Sequence, residues 1–251
     1  PASRTYIGTA GSQTAGLFCG GASPPSKECF LYNGTSFTAT GSGAMILKQG
    51  ACCGLSTAAI YCGGEIPAVT VKTEEFDGST WSSGGDMNQS RNNNVNFGSS
   101  TDAVTVGGGS SPGDQRKAEE YDGTSWTVGN TMTTGREQLV APGAGTASTA
   151  GMIAGGSPVP ASTAVENYNG TTWTTNSASL TTGRASGAGT RSPTTSYLIT
   201  GGTPGYKTTT FTYSENSEPN TFLNEGDVWY NSTSNVLKGY NGTAIKTFTD
   251  S

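Results

Sequence analysis

The chain has no histidine among its 251 residues, and only 12% of its residues are charged. Histidine is the commonest general base and metal ligand in proteins, so Ser-His-Asp chemistry and imidazole-bound copper or zinc are excluded. Apolar runs are too short for a membrane helix. The formal charge of −5 is dispersed, and no basic patch points to nucleic acid. We therefore expect no enzymatic activity, no metal or cofactor, no nucleic-acid partner and no membrane insertion.

Aliphatic residues are also scarce, as in disordered chains, but disorder requires a charge density that this sequence lacks. The first quarter of the chain contains five cysteines, Cys19, Cys29, Cys52, Cys53 and Cys62, whose spacing matches no metal-site motif. An odd number cannot pair completely. One or two disulfides in an oxidising compartment are the alternative to buried free thiols, the interpretation that we favour.

A glycine pair that follows a short apolar run and precedes a proline recurs five times along the sequence. The pairs are Gly20-Gly21, Gly63-Gly64, Gly108-Gly109, Gly155-Gly156 and Gly201-Gly202. Their first glycines are 43, 45, 47 and 46 residues apart. A period of this length is typical of propeller blades.

Two further markers keep the same register. The segments YNGTSF, FDGSTW, YDGTSW and YNGTTW each place Asn-Gly or Asp-Gly between β-forming residues, which predicts a hairpin with a type I′ turn. A basic residue opens each unit, at Arg4, Lys48, Arg91, Arg136 and Arg184. Three markers in one register indicate a single repeated β unit.

The fourth unit illustrates the strands that we expect in each repeat. Period-two patterns and turn residues place strands near 137–142, 150–154, 163–168 and 171–176. No window has helical periodicity. The sequence thus predicts an all-β propeller, most simply of five blades with four antiparallel strands each, or of six blades if the C-terminal segment forms one of its own.

The glycine pair, the aromatic residue on the third strand and the tryptophan on the fourth resemble the kelch repeat family over about residues 1–216. The tryptophans at this position are Trp81, Trp126 and Trp173, and Phe37 takes their place in the first unit. This resemblance implies a kelch-like β-propeller in which these tryptophans are buried between blades. Kelch-type propellers also occur in copper radical oxidases, but those require histidine ligands.

The C-terminal segment 225–248, EGDVWYNSTSNVLKGYNGTAIKTF, resembles short hairpin modules of bacteriophage tail-fibre and other virion proteins. The resemblance implies a propeller over 1–218 and a C-terminal β-hairpin module over 219–251, which either completes the last blade or anchors the protein to the virion. The expected function is that of a surface-exposed virion structural protein: a fibre, decoration or host-attachment component. Its partners would be other virion proteins, a host-surface glycan or further copies of the chain. A carbohydrate-binding propeller, or lectin, is the alternative.

The five recurring basic residues are the candidate ligand-binding positions, because in kelch proteins this position lies near the loops between blades. Five cationic side chains around one opening of the propeller would suit an acidic ligand. The alternative is structural: each cation caps an inner strand or pairs with a glutamate such as Glu75, Glu120 or Glu166. The adjacent pairs Glu74-Glu75 and Glu119-Glu120 should point to opposite faces of a strand and lie at solvated edges.

Ring closure makes demands on both ends of the chain. Residues 4–7 should form the inner strand of the first blade, and the fifth blade should obtain its outer strand from residues beyond Pro219. The fifth unit, which ends in FTYSEN at 211–216, has no tryptophan at this position. Trp229 or Ile245 would then occupy its place.

Overall fold

The computed structural model describes residues 4–22, 25–45, 48–65, 67–109, 115–141, 148–157, 160–191, 196–205, 209–214, 222–223, 228–231, 236–240 and 245–248. At residues 191, 196, 213, 214 and from 222 onward only the backbone is considered. No described residue lies in a helix, and hence none of these residues forms a helix that could cross a membrane. The chain is a β-propeller of five small antiparallel sheets arranged in a ring.

Each blade is a meander whose first strand lies at the centre of the ring. The first blade contains β1 (Gly8–Ser12), β2 (Ala15–Cys19), β3 (Cys29–Tyr32) and β4 (Phe37–Thr40). The second contains β5 (Ala51–Leu55), β6 (Ala58–Cys62), β7 (Thr73–Phe76) and β8 (Trp81–Ser83). The third contains β9 (Val95–Gly98), β10 (Ala103–Val106), β11 (Ala118–Tyr121) and β12 (Trp126–Val128). Strand order in each sheet follows the chain.

The fourth blade has three assigned strands, β13 (Gly151–Ala154), β14 (Val165–Tyr168) and β15 (Trp173–Thr175). Its inner edge is represented by two isolated bridges, Glu137 with Ser157 and Val140 with Ala154. The predicted first strand near 137–142 is therefore present only as these bridges, and residue 142 itself lies outside the described residues.

The fifth blade contains β16 (Ala188–Arg191), β17 (Ser196–Thr200), β18 (Thr210–Ser214) and β19 (Phe222–Leu223). Its outer strand comes from beyond Pro219, as predicted. Tyr213 pairs with Phe222 in the register that joins Tyr168 to Trp173 in the fourth blade. Phe222, rather than Trp229 or Ile245, therefore occupies the register position of the missing tryptophan.

The C-terminal strands form a separate antiparallel sheet of three strands rather than a simple hairpin: β20 (Val228–Asn231), β21 (Val236–Tyr240) and β22 (Ile245–Phe248). Trp229 lies on β20 and Ile245 on β22. Tyr240 pairs with Ile245, the same spacing that joins Tyr32 to Phe37 in the first blade. The YNGT segment thus links neighbouring strands here as it does in the blades.

At the other end of the chain, the inner strand of the first blade begins at Gly8, slightly later than the predicted 4–7. Thr5 forms an isolated bridge with Ala22, which corresponds to the bridge from Glu137 to Ser157 in the fourth blade. The stretch after Arg4 is thus equivalent to the stretch after Arg136, as expected, although the regular strand starts further on.

The glycine pairs adopt a left-handed backbone that explains their recurrence. Gly155 and Gly156 have φ of 66° and 103°, a conformation that L-residues rarely adopt, and this confirms the prediction of positive φ. In the third blade the pair with positive φ is Gly107-Gly108, one residue earlier than predicted. Because residues 107–109 are three consecutive glycines, the sequence alone does not show which two of them form the pair.

The hairpin turns differ from the predicted type I′. Tyr121 pairs with Trp126, so the loop between them has four residues, and only Gly123 has positive φ. A carboxylate oxygen of Asp122 accepts hydrogen bonds from the backbone N–H groups of Thr124 and Ser125, each at 2.8 Å. The same arrangement recurs at Asn33, Asp77 and Asn169. The acidic or amide side chain therefore closes the turn by accepting hydrogen bonds, without entering the left-handed region.

Four buried clusters fill the four junctions from the first to the fifth blade. Trp126 and Trp173 are 5% and 8% exposed and pack on the preceding blade, which confirms the prediction for both. The indole Nε1 of Trp126 also donates to Thr73 Oγ1 of that blade, at 2.9 Å. Trp81 is only partly buried against its cluster. Aromatic, methionine and branched aliphatic side chains make up most of these clusters, with alanine and cysteine between them.

Candidate functional site

The recurring arginines lie inside the blades. Arg91 and Arg136 are 0% and 1% exposed. The guanidinium of Arg91 donates to the carbonyl oxygens of Gly107, at 3.0 Å, and Lys117, at 2.8 Å, and forms a 3.0 Å ion pair with Glu119. Arg136 makes the equivalent contacts with Gly155, Ala164 and Glu166. Each arginine thus ties the glycine pair to the third strand of its own blade.

The first and fifth blades have a phenylalanine at the position of this glutamate. The guanidinium carbon of Arg184 lies 4.3 Å from the ring centroid of Phe211, and that of Arg4 lies 5.5 Å from Phe30. Arg184 also donates to the carbonyl oxygens of Gly201 and Thr209. Burial lowers the pKa of Arg184 from its ordinary value. In both blades a cation–π contact thus takes the place of the ion pair with a buried third-strand glutamate. Arg4 in addition pairs with Glu28, whose side chain is exposed.

Lys48 is not equivalent to the arginines. Its carbonyl oxygen accepts a hydrogen bond from Glu65 N at 3.0 Å, as the carbonyl oxygen of Asn92 accepts one from Gly109 N at 2.8 Å. Lys48 therefore corresponds to the residue after the arginine, and the arginine position falls on Leu47, outside the described residues. The basic residue predicted to open the second unit is therefore one position too late, because the lysine at 48 follows the position that arginine occupies in the other blades.

This shift leaves the glutamate of the second blade without an arginine at the matching position. Glu74 is 3% exposed, and its Oε1 accepts a 2.9 Å hydrogen bond from Met45 N. No described residue forms a hydrogen bond with its Oε2. Burial raises the pKa of Glu74 above its ordinary value.

The predicted glutamate partners are only partly those observed. Glu166 does pair with an arginine, but Glu75 and Glu120 accept hydrogen bonds from the hydroxyls of Tyr121 and Tyr168 on the following blades. Burial, followed by the hydrogen bond to Glu75, raises the pKa of Tyr121 to about 12. Glu74 and Glu119 are buried, not solvated as expected, whereas their neighbours face the next blade. The ligand-binding role of the five cations stays a prediction, and it would require the arginines to leave these partners.

The innermost segments of all five blades instead line an open central cavity of about 590 Å³. Ligand pockets commonly have volumes of this order. Its polar lining includes Thr9, Ser12, Asn94, Asn96 and Thr190, and the described lining contains no charged side chain. The cavity therefore suits an uncharged polar ligand better than an ion.

Two asparagines of the cavity wall hold their amide groups inside the blades. Asn94 Nδ2 donates to Thr105 Oγ1 at 2.9 Å, and Asn96 Nδ2 donates to the carbonyl oxygen of Ala51 at 3.1 Å. Asn94 is 5% exposed, and no described residue donates to its Oδ1. Burial raises the pKa of Cys52, also in the wall, so this thiol is not a ready nucleophile. The described residues contain no cluster of three metal-ligating side chains.

One end of the cavity is bounded by a set of left-handed residues that we call the axial belt: Tyr6, Gln49, Asn93, Gln138 and Ser186, one from each blade. Their φ values lie between 53° and 61°, which is unusual for residues other than glycine. Backbone N–H groups donate along the belt, from Asn93 to the carbonyl oxygen of Gln49 at 2.6 Å and from Gln138 to that of Asn93 at 3.0 Å. Main-chain hydrogen bonds thus link successive blades around the axis.

The junction between the fifth and first blades differs from the other four. In the axial belt, the hydrogen bond that would join the last blade to the first, from Tyr6 N to the carbonyl oxygen of Ser186, is absent among the described residues. Phe37 is 45% exposed, although its counterparts Trp126 and Trp173 are buried. A cavity of about 180 Å³ opens beside Phe37 and Phe18. The outer face of the first blade is therefore less covered than the matching faces of the third and fourth.

No protein-family model matches the chain, and no curated protein matches it significantly.

Sequence reasoning missed the axial belt and the two asparagines of the cavity wall. A signal for the belt was present, because its residue lies two positions after each arginine, as in Arg91 and Asn93. Only glutamine occurs there twice, and the other three residues differ, so the pattern is visible only once the backbone angles are known. For Asn94 and Asn96 the sequence gives no signal, because other blades have different residues at these positions.

Proposed function

We propose that the chain is a non-enzymatic structural protein of a tailed-phage virion, exposed at the particle surface as a fibre, decoration or host-attachment component. Its partners would be other virion proteins and a host-surface glycan. The kelch-like spacing and the virion-like segment 225–248 support this proposal as sequence resemblances. They concern different parts of the chain and lead to the same class of protein.

The observation that carries the proposal is the internal use of the recurring ionisable side chains. The arginines bind carbonyl oxygens within their blades, and Arg91 and Arg136 also bind a buried carboxylate. The tyrosine hydroxyls of Tyr121 and Tyr168 bind carboxylates across blade junctions. Side chains that in an enzyme would face a substrate here hold the blades together, as expected of a rigid display scaffold.

Analysis of purified particles tests the proposal. We expect peptides of this chain in phage particles banded by density, in a constant ratio to the major capsid protein. Antibodies against the folded propeller should bind intact particles. The chain's absence from infectious particles, in a phage whose genome encodes it, would overturn the proposal.

A carbohydrate-binding propeller is the second candidate, and the central cavity favours it. Its described lining contains polar but no charged side chains, which matches the hydroxyl groups of a neutral sugar. A glycan array with the purified chain should then give hits that are lost in Thr9→Leu, because Thr9 is an exposed residue of the lining and leucine removes its hydroxyl. The control is Asn130→Leu, whose amide donates to the carbonyl oxygen of Thr171 at an exposed site outside the cavity. Binding that survives Thr9→Leu would remove the cavity as the site.

A further inference from the structure

Among the five cysteines, all within the described residues, Cys19 and Cys29 lie directly opposite each other on neighbouring strands. They are register partners of β2 and β3, at the ends nearest the glycine pair. The remaining three, Cys52, Cys53 and Cys62, pair instead with Tyr61, Ile60, Ala51 and Thr73. All five are free thiols.

The hydrogen-bond pattern identifies the kind of cross-strand pair. Gly20 N donates to the carbonyl oxygen of Glu28 at 2.9 Å, one position beyond the two cysteines. Alternate antiparallel pairs exchange hydrogen bonds, so Cys19 and Cys29 occupy a non-hydrogen-bonded pair. In such pairs the Cα atoms are about 4.5 Å apart and the side chains are close, a separation that a disulfide can bridge.

The two thiols also influence each other's ionisation. A side-chain interaction with Cys19 lowers the pKa of Cys29, whereas burial raises the pKa of Cys19. Cys29 Sγ lies 3.6 Å from the carbonyl oxygen of Lys27. Both residues are at most 1% exposed, in the cluster between the first and second blades. Cys29 is thus the better nucleophile of the pair, and Cys19 is positioned to react with it.

We propose that Cys19 and Cys29 form a peroxide-sensitive thiol pair, which a small peroxide converts into a cross-strand disulfide of the first blade. The Cys29 thiolate attacks one oxygen of hydrogen peroxide, which breaks the O–O bond and gives a sulfenic acid and hydroxide. The Cys19 sulfur then attacks the Cys29 sulfur, and the sulfenic oxygen leaves as water. In total two thiols and one peroxide give one disulfide and two waters. The cysteines are oxidised and the peroxide is reduced.

This inference rests on the geometry of the first blade and does not depend on the proposed function. A chain that folds in a reducing cytoplasm and is later exposed to oxidants would gain the bond only after folding. Because both sulfurs are buried, a small oxidant admitted by local opening suits the site better than a bulky disulfide.

The sequence makes the bond easy to assign. Trypsin should separate peptide 5–27, with Cys19, from peptide 28–48, with Cys29, while the three remaining cysteines stay in peptide 49–72. The folded full-length chain is treated with hydrogen peroxide, denatured, alkylated and digested without reductant. We expect a linked pair of peptides 5–27 and 28–48, lighter by two hydrogen atoms than the separate peptides, which dithiothreitol splits.

A second measurement follows the folded protein. Peroxide should raise the melting temperature of the wild-type chain, and dithiothreitol should reverse the increase. Cys52→Ser, which leaves the pair intact, should respond as the wild type does, whereas Cys19→Ser should show no increase. A link to peptide 49–72, or complete alkylation of Cys19 and Cys29 after peroxide treatment, would overturn the proposal even if a variant fails to fold.

Discussion

The Nη2 atom of Arg91 lies 3.0 Å from the Oε1 atom of Glu119, and the two side chains are 0% and 1% exposed. Glu119 also accepts hydrogen bonds from the backbone N–H groups of Asn88, at 2.6 Å, and Gln89, at 3.1 Å, in the segment that leads into the blade. This carboxylate therefore joins the arginine, the third strand and the inter-blade segment at one buried point.

Loss of the Glu119 charge should be costly, because it leaves the guanidinium of Arg91 buried without a counter-ion. We expect Glu119→Gln to lower the free energy of unfolding by about 3–5 kcal/mol, measured by urea denaturation. The matched control is Glu28→Gln, since Glu28 pairs with Arg4 but its side chain is 63% exposed. Exposed pairs contribute roughly 0–1 kcal/mol. Equal losses in the two variants would contradict a special role for the buried pair.

The glycine pairs offer a second test, because one repeat position occurs in two surroundings. Gly155 and Gly201 have φ of 66° and 70°, but a Cβ at Gly155 would lie 2.3 Å from Arg184 O, whereas a Cβ at Gly201 would meet nothing within 4 Å. Gly201→Ala should cost about 1–2 kcal/mol from backbone strain alone. Gly155→Ala should cost clearly more in the same denaturation assay. Equal costs would indicate that the first blade covers Gly201 in solution.

Stability should depend on pH through Glu74. Its pKa is raised in the folded state by burial, so the folded chain holds this proton more tightly than the unfolded chain. The favourable contribution is complete below the ordinary glutamate pKa and is lost as the pH rises through the folded value. We therefore expect Glu74→Gln to stabilise the chain at about pH 7, where the buried carboxylate of the wild type is charged. In a denaturation series this gain should shrink towards about pH 4, near the ordinary glutamate pKa, where Glu74 is protonated.

Glu119→Gln is the control for this pH series, because Glu119 occupies the same repeat position and has the Arg91 partner that Glu74 lacks among the described residues. It should destabilise the chain at pH 7, opposite in sign to Glu74→Gln. A destabilising effect of Glu74→Gln at neutral pH would contradict this prediction and show that the hydrogen bond from Met45 N and the charge of Lys27 outweigh the cost of burying the carboxylate.

Two truncations test the end of the fifth blade. A chain of residues 1–224 keeps β19, which pairs with β18, and omits the separate C-terminal sheet. A chain of residues 1–218 leaves β18 as an unpaired edge, which favours aggregation. We expect 1–224 to melt near the temperature of the full chain and 1–218 to melt lower, by circular dichroism. If both melt equally low, the C-terminal sheet contributes to the stability of the ring.

The repeat period and the glycine pairs were predictable from the sequence, because both follow from local backbone demands that recur along the chain. Offsets of one residue were not. Lys48 stands beside the true arginine position, and three glycines at 107–109 allow two registers, so only the φ values and strand pairing decide between them. The sequence also could not show whether the arginine side chains point to solvent or into the blade, because arginine is found both in exposed binding loops and in buried ion pairs. The cavity joins residues from five blades and has no local signal.

The axial belt has an evolutionary consequence. Its bonds join main-chain atoms, so the ring does not depend on which side chains stand at Tyr6, Gln49, Asn93, Gln138 and Ser186. Five positions around one axis can therefore mutate with little effect on the framework, apart from the preference of a left-handed backbone for residues such as asparagine and glycine. Lineages that meet new surfaces could diversify this end of the propeller and leave the blades unchanged.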